Sequence, residues 1–215
     1  MQPLARSRNA LHFVARRSAT LSLLWLGRRY LGAVGWTRSR RASKSVDATG
    51  SPVPWFTYPA TDFLTSRISN HLRVFEWGAG GSTLWWAQRT AEVVTCEHDP
   101  NWYNEVLRLR PGNVTVVLRS IEGHVYASEV LNHKRFDVIV IDGADRLACA
   151  NSSMSALSPG GVIVWDNSDR ASAQEGLEIL RTAGFKRVDF RGLGPIGLDA
   201  WTTSILYRPT NCLGI

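Results

Sequence analysis

No apolar run in this sequence approaches the about 20 residues that a helix needs to cross a bilayer. The most apolar stretch, SATLSLLWLG at 18–27, is half that. Cysteine is also scarce. Cys96, Cys149 and Cys212 are odd in number, widely spaced and free of any CxxC pair, which argues against a disulfide framework or a cysteine zinc site and points to buried thiols in a reducing compartment. Acid is nearly missing from the N-terminal end, where residues 1–50 hold ten Lys/Arg and only Asp47, a net charge of +9. The remaining residues hold 15 basic and 17 acidic groups, so the overall +7 belongs to an arm and the body is nearly neutral. No nucleic-acid partner is expected for such a body.

What is present describes a globular chain. With 215 residues, 44% apolar and 20% charged, it fits one domain with an appendage. The expected division is a basic amphipathic arm and linker over 1–50 and a folded domain over 51–215. In the arm, Leu23, Leu26, Tyr30 and Val34 fall on one helical face, with Leu24 and Leu31 beside it. Three roles stay open for that helix: packing on the body or on a second subunit, lying on an anionic membrane, or targeting, since it is Arg-rich and free of acid to residue 46. The expected location is cytoplasmic, with a membrane-peripheral or organellar one left open; oligomeric state has no signature. Residues 38–54, punctuated by Gly50, Pro52 and Pro54, read as a linker.

From residue 73 the pattern alternates. Strands are expected at 73–77, 92–97, 113–118, 136–142 and 161–166, with helices at 82–89, from Pro100, near 122–132, at 147–157 and at 171–183. Such a βα series makes a Rossmann-like, doubly wound α/β sheet. FKRVDF (185–190) and WTTSILY (201–207) have no helix between them, so they should close the seven-stranded sheet as an antiparallel hairpin at its edge. Ligands of such sheets sit beyond the carboxyl ends of the strands, which selects 76–81, 97–99, Ser120, 142–145 and 166–167.

The first of these ends, VFEWGAGGST (74–83), has three glycines in four positions. No lysine follows them, which speaks against a triphosphate loop. Gly78 and Gly80 fit a dinucleotide fingerprint, but its third glycine is replaced by Thr83. Glu76 would repel a pyrophosphate and attract a cation. Glu97 ends the second strand, where a carboxylate can take both hydroxyls of a ribose through charge-assisted bonds. Glycine turn, acid and ribose acid together describe S-adenosylmethionine better than NAD.

VFEWGAGGST, VVTCEHD, FDVIVIDGAD and SPGGVIVWDN, in this order, resemble the motif series of class I S-adenosylmethionine-dependent methyltransferases, over about residues 54–208. PWFTYPATDFL (54–64) resembles the segment before the first motif in a small bacterial-type subgroup. The resemblance implies methyl transfer to a small-molecule acceptor, with oxygen favoured. It implies cofactor contacts from Glu76, Gly78, Ala79, Gly80, Ser82, Thr83, Glu97, His98, Ser120 and Asp142. Asp142, Asp166 and Asn167 match the Mg2+ ligands of catechol-type O-methyltransferases, although IDGADR carries no lysine after the strand-four acid. The plainer alternative has Asp142 bordering the cofactor and Asp166-Asn167 capping a helix. Asp142, Asp145, Asp166 and His124 are the candidate bases, with Asp142 and Asp166 taken as catalytic. Trp77 and Trp165 could line an acceptor pocket, Tyr58 could cover the cofactor, and Trp25, Trp85, Trp86 and Trp201 read mostly as core. An NAD(P) oxidoreductase, a non-catalytic binding domain and an aminopropyl transferase are the rival readings.

Overall fold

The computed structural model describes residues 18–215; the basic residues Arg6, Arg8, Arg16 and Arg17 of the arm lie outside them. Seven strands, β1 (Arg73–Trp77), β2 (Glu92–Glu97), β3 (Val114–Leu118), β4 (Phe136–Ile141), β5 (Leu157–Trp165), β6 (Lys186–Gly192) and β7 (Trp201–Tyr207), form one sheet in the order β3-β2-β1-β4-β5-β7-β6. The first five are mutually parallel; β7 runs antiparallel between β5 and β6. The expected terminal hairpin is there, with its second strand inserted toward the middle of the sheet. That insertion departs from the 3-2-1-4-5-6 order of dinucleotide-binding sheets.

Strand parity divides the core in two. Val138 and Val140 of β4 face one side with Val74, Val162 and Val164, where they meet Leu64, Trp85, Trp86 and Val106. Those side chains come from α3 (Tyr58–Thr65), α4 (Gly81–Ala87) and α5 (Pro100–Leu109). Ile139 and Ile141 face the other side with Phe75, Trp77 and Trp165, against Tyr126, Cys149, Leu177 and Leu180. Here the covering helices are α6 (Val125–Ser128), α7 (Arg146–Ala156) and α8 (Gln174–Thr182). Strands buried on both faces read as continuous apolar runs, which is why β4 and the second half of β5 were legible.

Three boundaries differ from the sequence reading. The helix expected over 122–132 is broken, because Gly123 and His124 adopt left-handed conformations (φ 63° and 58°) between short helical turns. β5 begins at Leu157, paired with Phe136, and Ser158–Gly161 bulge out before Val162 pairs with Val138. The "linker" is ordered. The arm's first helix, α1 (Ala19–Leu26), runs through a π-helical turn, Gly27–Leu31, and after Gly35 a second helix, α2 (Trp36–Ala42), packs on the domain. Trp36 Nε1 donates to Gly197 O at 2.7 Å and Arg40 Nη1 to Ile196 O at 2.9 Å. Buried Ser39 exchanges bonds with Val46, and Asp47 Oδ1 accepts from the amides of Thr49, Gly50 and Ser51. A stretch rich in Ser, Gly and Pro reads as open linker from composition alone; here those groups bond to one another and to the domain.

Candidate active site

Beyond the carboxyl ends of β1, β2 and β4 lies a cleft of about 670 Å3. Its floor is the turn after β1, which needs glycine. Gly78 has φ 97°, and a Cβ there would come within 3.1 Å of the Asp142 backbone. Gly81 passes so close to Val53 O that a Cβ would sit 2.8 Å from it. The far wall is α5, entered through Asp99, whose Oδ1 caps the helix by accepting from Asn101 N and Trp102 N. Ser43–Val46, Pro52 and Trp55 form the roof, so the segment read as a linker closes the cleft.

Two carboxylates hold the turn from different sides. Glu97 is almost wholly buried and accepts from Ala79 N (2.8 Å, Oε2), His98 N (2.7 Å) and Asp99 N (2.8 Å, both Oε1), locking the turn to the end of β2. Glu76 has no exposed surface and lies a layer below: Gly80 N donates to Thr83 Oγ1 (3.0 Å), which donates to Glu76 Oε2 (2.5 Å). Thr83, in place of a third glycine, is thus a relay that pins the turn. Glu76 and Thr83 do not line the cleft, which corrects their expected direct contact with a ligand. Thr83→Val should cost about 1–3 kcal/mol in denaturant unfolding, since it leaves the Gly80 amide and the buried carboxylate without this partner.

Burial pushes the Glu76 carboxyl up to about 7, against hydrogen bonds from Ser82, Thr83 and Thr95 that pull it down. Among the described residues its Oε1 makes no hydrogen bond within normal distance; Thr83 and Thr95 both reach Oε2. The folded state therefore keeps this proton to higher pH than the unfolded chain does. The Glu76 contribution to stability should fall as pH rises from about 4.5 toward 7, by about 3 kcal/mol. Glu76→Gln should remove that part of the slope, measured as unfolding free energy across this range. An unchanged slope would refute the assignment.

The other residues divide as follows. Gly78, Ala79, Gly80, Ser82, Glu97, His98 and Asp142 line the cleft. Ser120 does not; it is exposed and its Oγ accepts from Glu122 N. Trp77 and Trp165 are fully buried in the core, and Tyr58 is 5% exposed with its amide bonded to Leu193 O, so none of them lines either cavity. Trp25, by contrast, is exposed.

A second cavity, about 450 Å3, opens beside the first and shares Asp142 and Trp55 with it. Asp166, Asn167, Arg170, Trp201 and the loop Gly197–Asp199 line the rest of it. Trp55 and Trp201 are thus the tryptophans of the second cavity, and neither stands out in the sequence: Trp55 lies in a segment far from the strand ends, and Trp201 opens a strand. His124 and Asp145 pair with each other at 2.8 Å, with Asp145 on a third, smaller cavity.

Arg146 decides what the strand-four and strand-five ends hold. Its guanidinium donates to Asp142 Oδ1 (3.2 Å), to the carbonyls of Asp142 and Gly143, and to the Asp166 carbonyl. Asp166 Oδ1 meanwhile accepts from Trp201 Nε1 and Thr203 Oγ1. A cation already pairs with the Asp142 carboxylate and ties the two strand ends together through the Asp166 carbonyl. With the Arg146 guanidinium on Asp142 and Asp166 Oδ1 taken by Trp201 and Thr203, the Asp142, Asp166, Asn167 trio is poorly suited to Mg2+; among the described residues no three His, Cys, Asp or Glu gather as a metal site either. Burial lifts both carboxyls, Asp166 to about 6; the Asp166 charge further lifts Asp142, and Arg146 opposes it.

This geometry can be set beside known structures. A candidate O-methyltransferase of Klebsiella pneumoniae superposes with a TM-score of 0.56 at 17% identity, over 92% of this chain and 99% of its own. Precorrin 8w decarboxylase of Methanobacterium thermoautotrophicum gives 0.56 at 17%, over 78% and 97%. The precorrin-6y C5,15-methyltransferase of Geobacter metallireducens gives 0.55 at 15%, over 70% and 87%. The chain has the class I methyltransferase fold. No family model matches the sequence, and no curated protein does. Ligands of open α/β sheets sit beyond the carboxyl ends of the strands, where both cavities lie.

Proposed function

We propose that this protein transfers the methyl group of S-adenosylmethionine to a small acceptor, with oxygen as the attacking atom. The observation that carries the reading is the meeting of two cavities at Asp142 and Trp55. One is floored by a glycine turn and a clamped carboxylate; the other is walled by indoles and acids. S-adenosylmethionine supplies a methyl group on an already activated, positively charged sulfur. Glu97, with Asp99 beside it, would hold the ribose hydroxyls, His98 would border the base, and Gly78–Gly80 with Ser82 would cradle the methionine end. The negative charge of Asp142, and of buried Glu76 when ionised, favours a cation above the turn.

The protein's own task is alignment, which can supply on the order of 7–11 kcal/mol where it is ideal. Asp142 stands at the junction and takes the proton that a hydroxyl acceptor loses; Asp166, hydrogen-bonded to Trp201 and Thr203, holds the acceptor-side wall. The likeness to a candidate O-methyltransferase supports oxygen. Titration calorimetry with S-adenosylhomocysteine, with NADH as control, tests the reading. Binding of the first and not the second is expected. Folded protein that binds NADH alone would favour an oxidoreductase, and protein that binds neither would sink the methyltransferase reading.

A further inference from the structure

We infer that the N-terminal arm docks on the surface of an anionic lipid bilayer. Helix α1 and the turn Gly27–Leu31 bury none of their residues. Leu23 and Leu24 are 67% and 65% exposed, and Leu21, Trp25, Leu26 and Tyr30 are exposed beside them. A helix that packs on its own domain turns a polar face outward; here the apolar side chains surround the helix, which corrects the one-sided, amphipathic arm expected from the sequence. Isolated exposed leucines are ordinary, but six large apolar side chains within ten residues form a patch that needs a cover.

Length and charge say which cover. The helical run 19–31 spans about 20 Å, short of the about 30 Å hydrocarbon core, and no helix of the described residues is long and apolar enough to cross a membrane. The run therefore lies along the interface. Arg28 and Arg29 close it, with Arg29 5.4 Å from the centre of the Trp25 ring, the pairing of cation and indole that suits a headgroup layer. A second copy of the chain is the poorer occupant: each arm carries +9 over residues 1–50, so two arms repel, and a body of −2 attracts weakly. Anionic headgroups answer both the charge and the apolar surface.

The arm joins the domain at the loop that walls the acceptor-side cavity. Trp36 and Arg40 hold the carbonyls of Gly197 and Ile196, and neighbouring Leu198 is 67% exposed. Docking sets this loop, and the cavity mouth with it, beside the bilayer.

The test is co-sedimentation of the full chain with vesicles of phosphatidylcholine containing about 30% phosphatidylserine, against pure phosphatidylcholine, at about 0.1 M salt. We expect at least about tenfold stronger binding to the anionic vesicles, lost at high salt. Leu23→Asp/Leu24→Asp should lose at least about tenfold at an unchanged unfolding midpoint, since those side chains touch no core. Arg28→Glu/Arg29→Glu should erase the lipid preference. Folded wild-type protein that sediments with neither vesicle overturns the inference. So does undiminished binding by the leucine variant, or a dimer that this variant dissolves without any vesicle binding. Homocysteine-compound binding is read separately, so failure here leaves the proposed chemistry standing.

Discussion

Glu97→Ala is expected to weaken S-adenosylhomocysteine binding by about 10²–10⁴-fold, since two charge-assisted hydrogen bonds of about 1.5–3 kcal/mol each would go with the carboxylate. The same carboxylate accepts from the amides of Ala79, His98 and Asp99, so part of the effect runs through the turn it secures. Glu97→Gln separates the two. Its carbonyl oxygen keeps up to two of the amide bonds while the charge is gone, so affinity should fall less than in the alanine variant and the unfolding midpoint should fall little. Calorimetry and denaturant unfolding on the same samples decide it. Wild-type affinity in folded Glu97→Ala would remove the ribose role and, with it, the basis for placing the cofactor in this cleft.

Asp142→Asn should lower turnover of a hydroxyl acceptor by about 10²–10⁴-fold, the range for loss of a positioned base. In the wild type, activity should rise with pH as the Asp142 carboxyl ionises, above the usual carboxylate range because burial and the Asp166 charge hold it there. Removing that neighbouring charge in Asp166→Asn should move the rising limb to lower pH, because a like charge no longer opposes ionisation. The asparagine variant at position 142 should lack the limb. Since methyl transfer itself needs only alignment, retention of full activity with an unchanged profile would assign Asp142 to the cofactor wall and leave the proton to water. Wild-type binding of S-adenosylhomocysteine by Asp142→Asn would show that the loss is not one of folding.

These two residues also mark how far the sequence reaches. β4 and the second half of β5 were legible because burial on both faces demands runs such as FDVIVI, and the hairpin because no helix-forming stretch separates its two strands. The end of each strand then named the positions where ligands gather, so Gly78, Glu97 and Asp142 could be selected without coordinates. Those are consequences of local chemistry: period, turn residues and charge within a few positions of one another.

What only the tertiary structure decided depends on residues far apart in the chain. Trp77 and Trp165 end strands, as site residues do, but their parity turns them into the core. Trp55 and Trp201, 146 positions apart, meet across one cavity. Arg146 reads as one more surface charge until it is seen bridging two strand ends, where its guanidinium stands against the metal that Asp142, Asp166 and Asn167 suggest. Thr83 reads as a failed glycine until its hydroxyl is found between Gly80 and Glu76. The roof over the cleft comes from a stretch whose composition says linker. Composition and period report what each segment can do alone; which side chains share a cavity follows from strand order and from the burial of the two core faces, and those are properties of the packed chain.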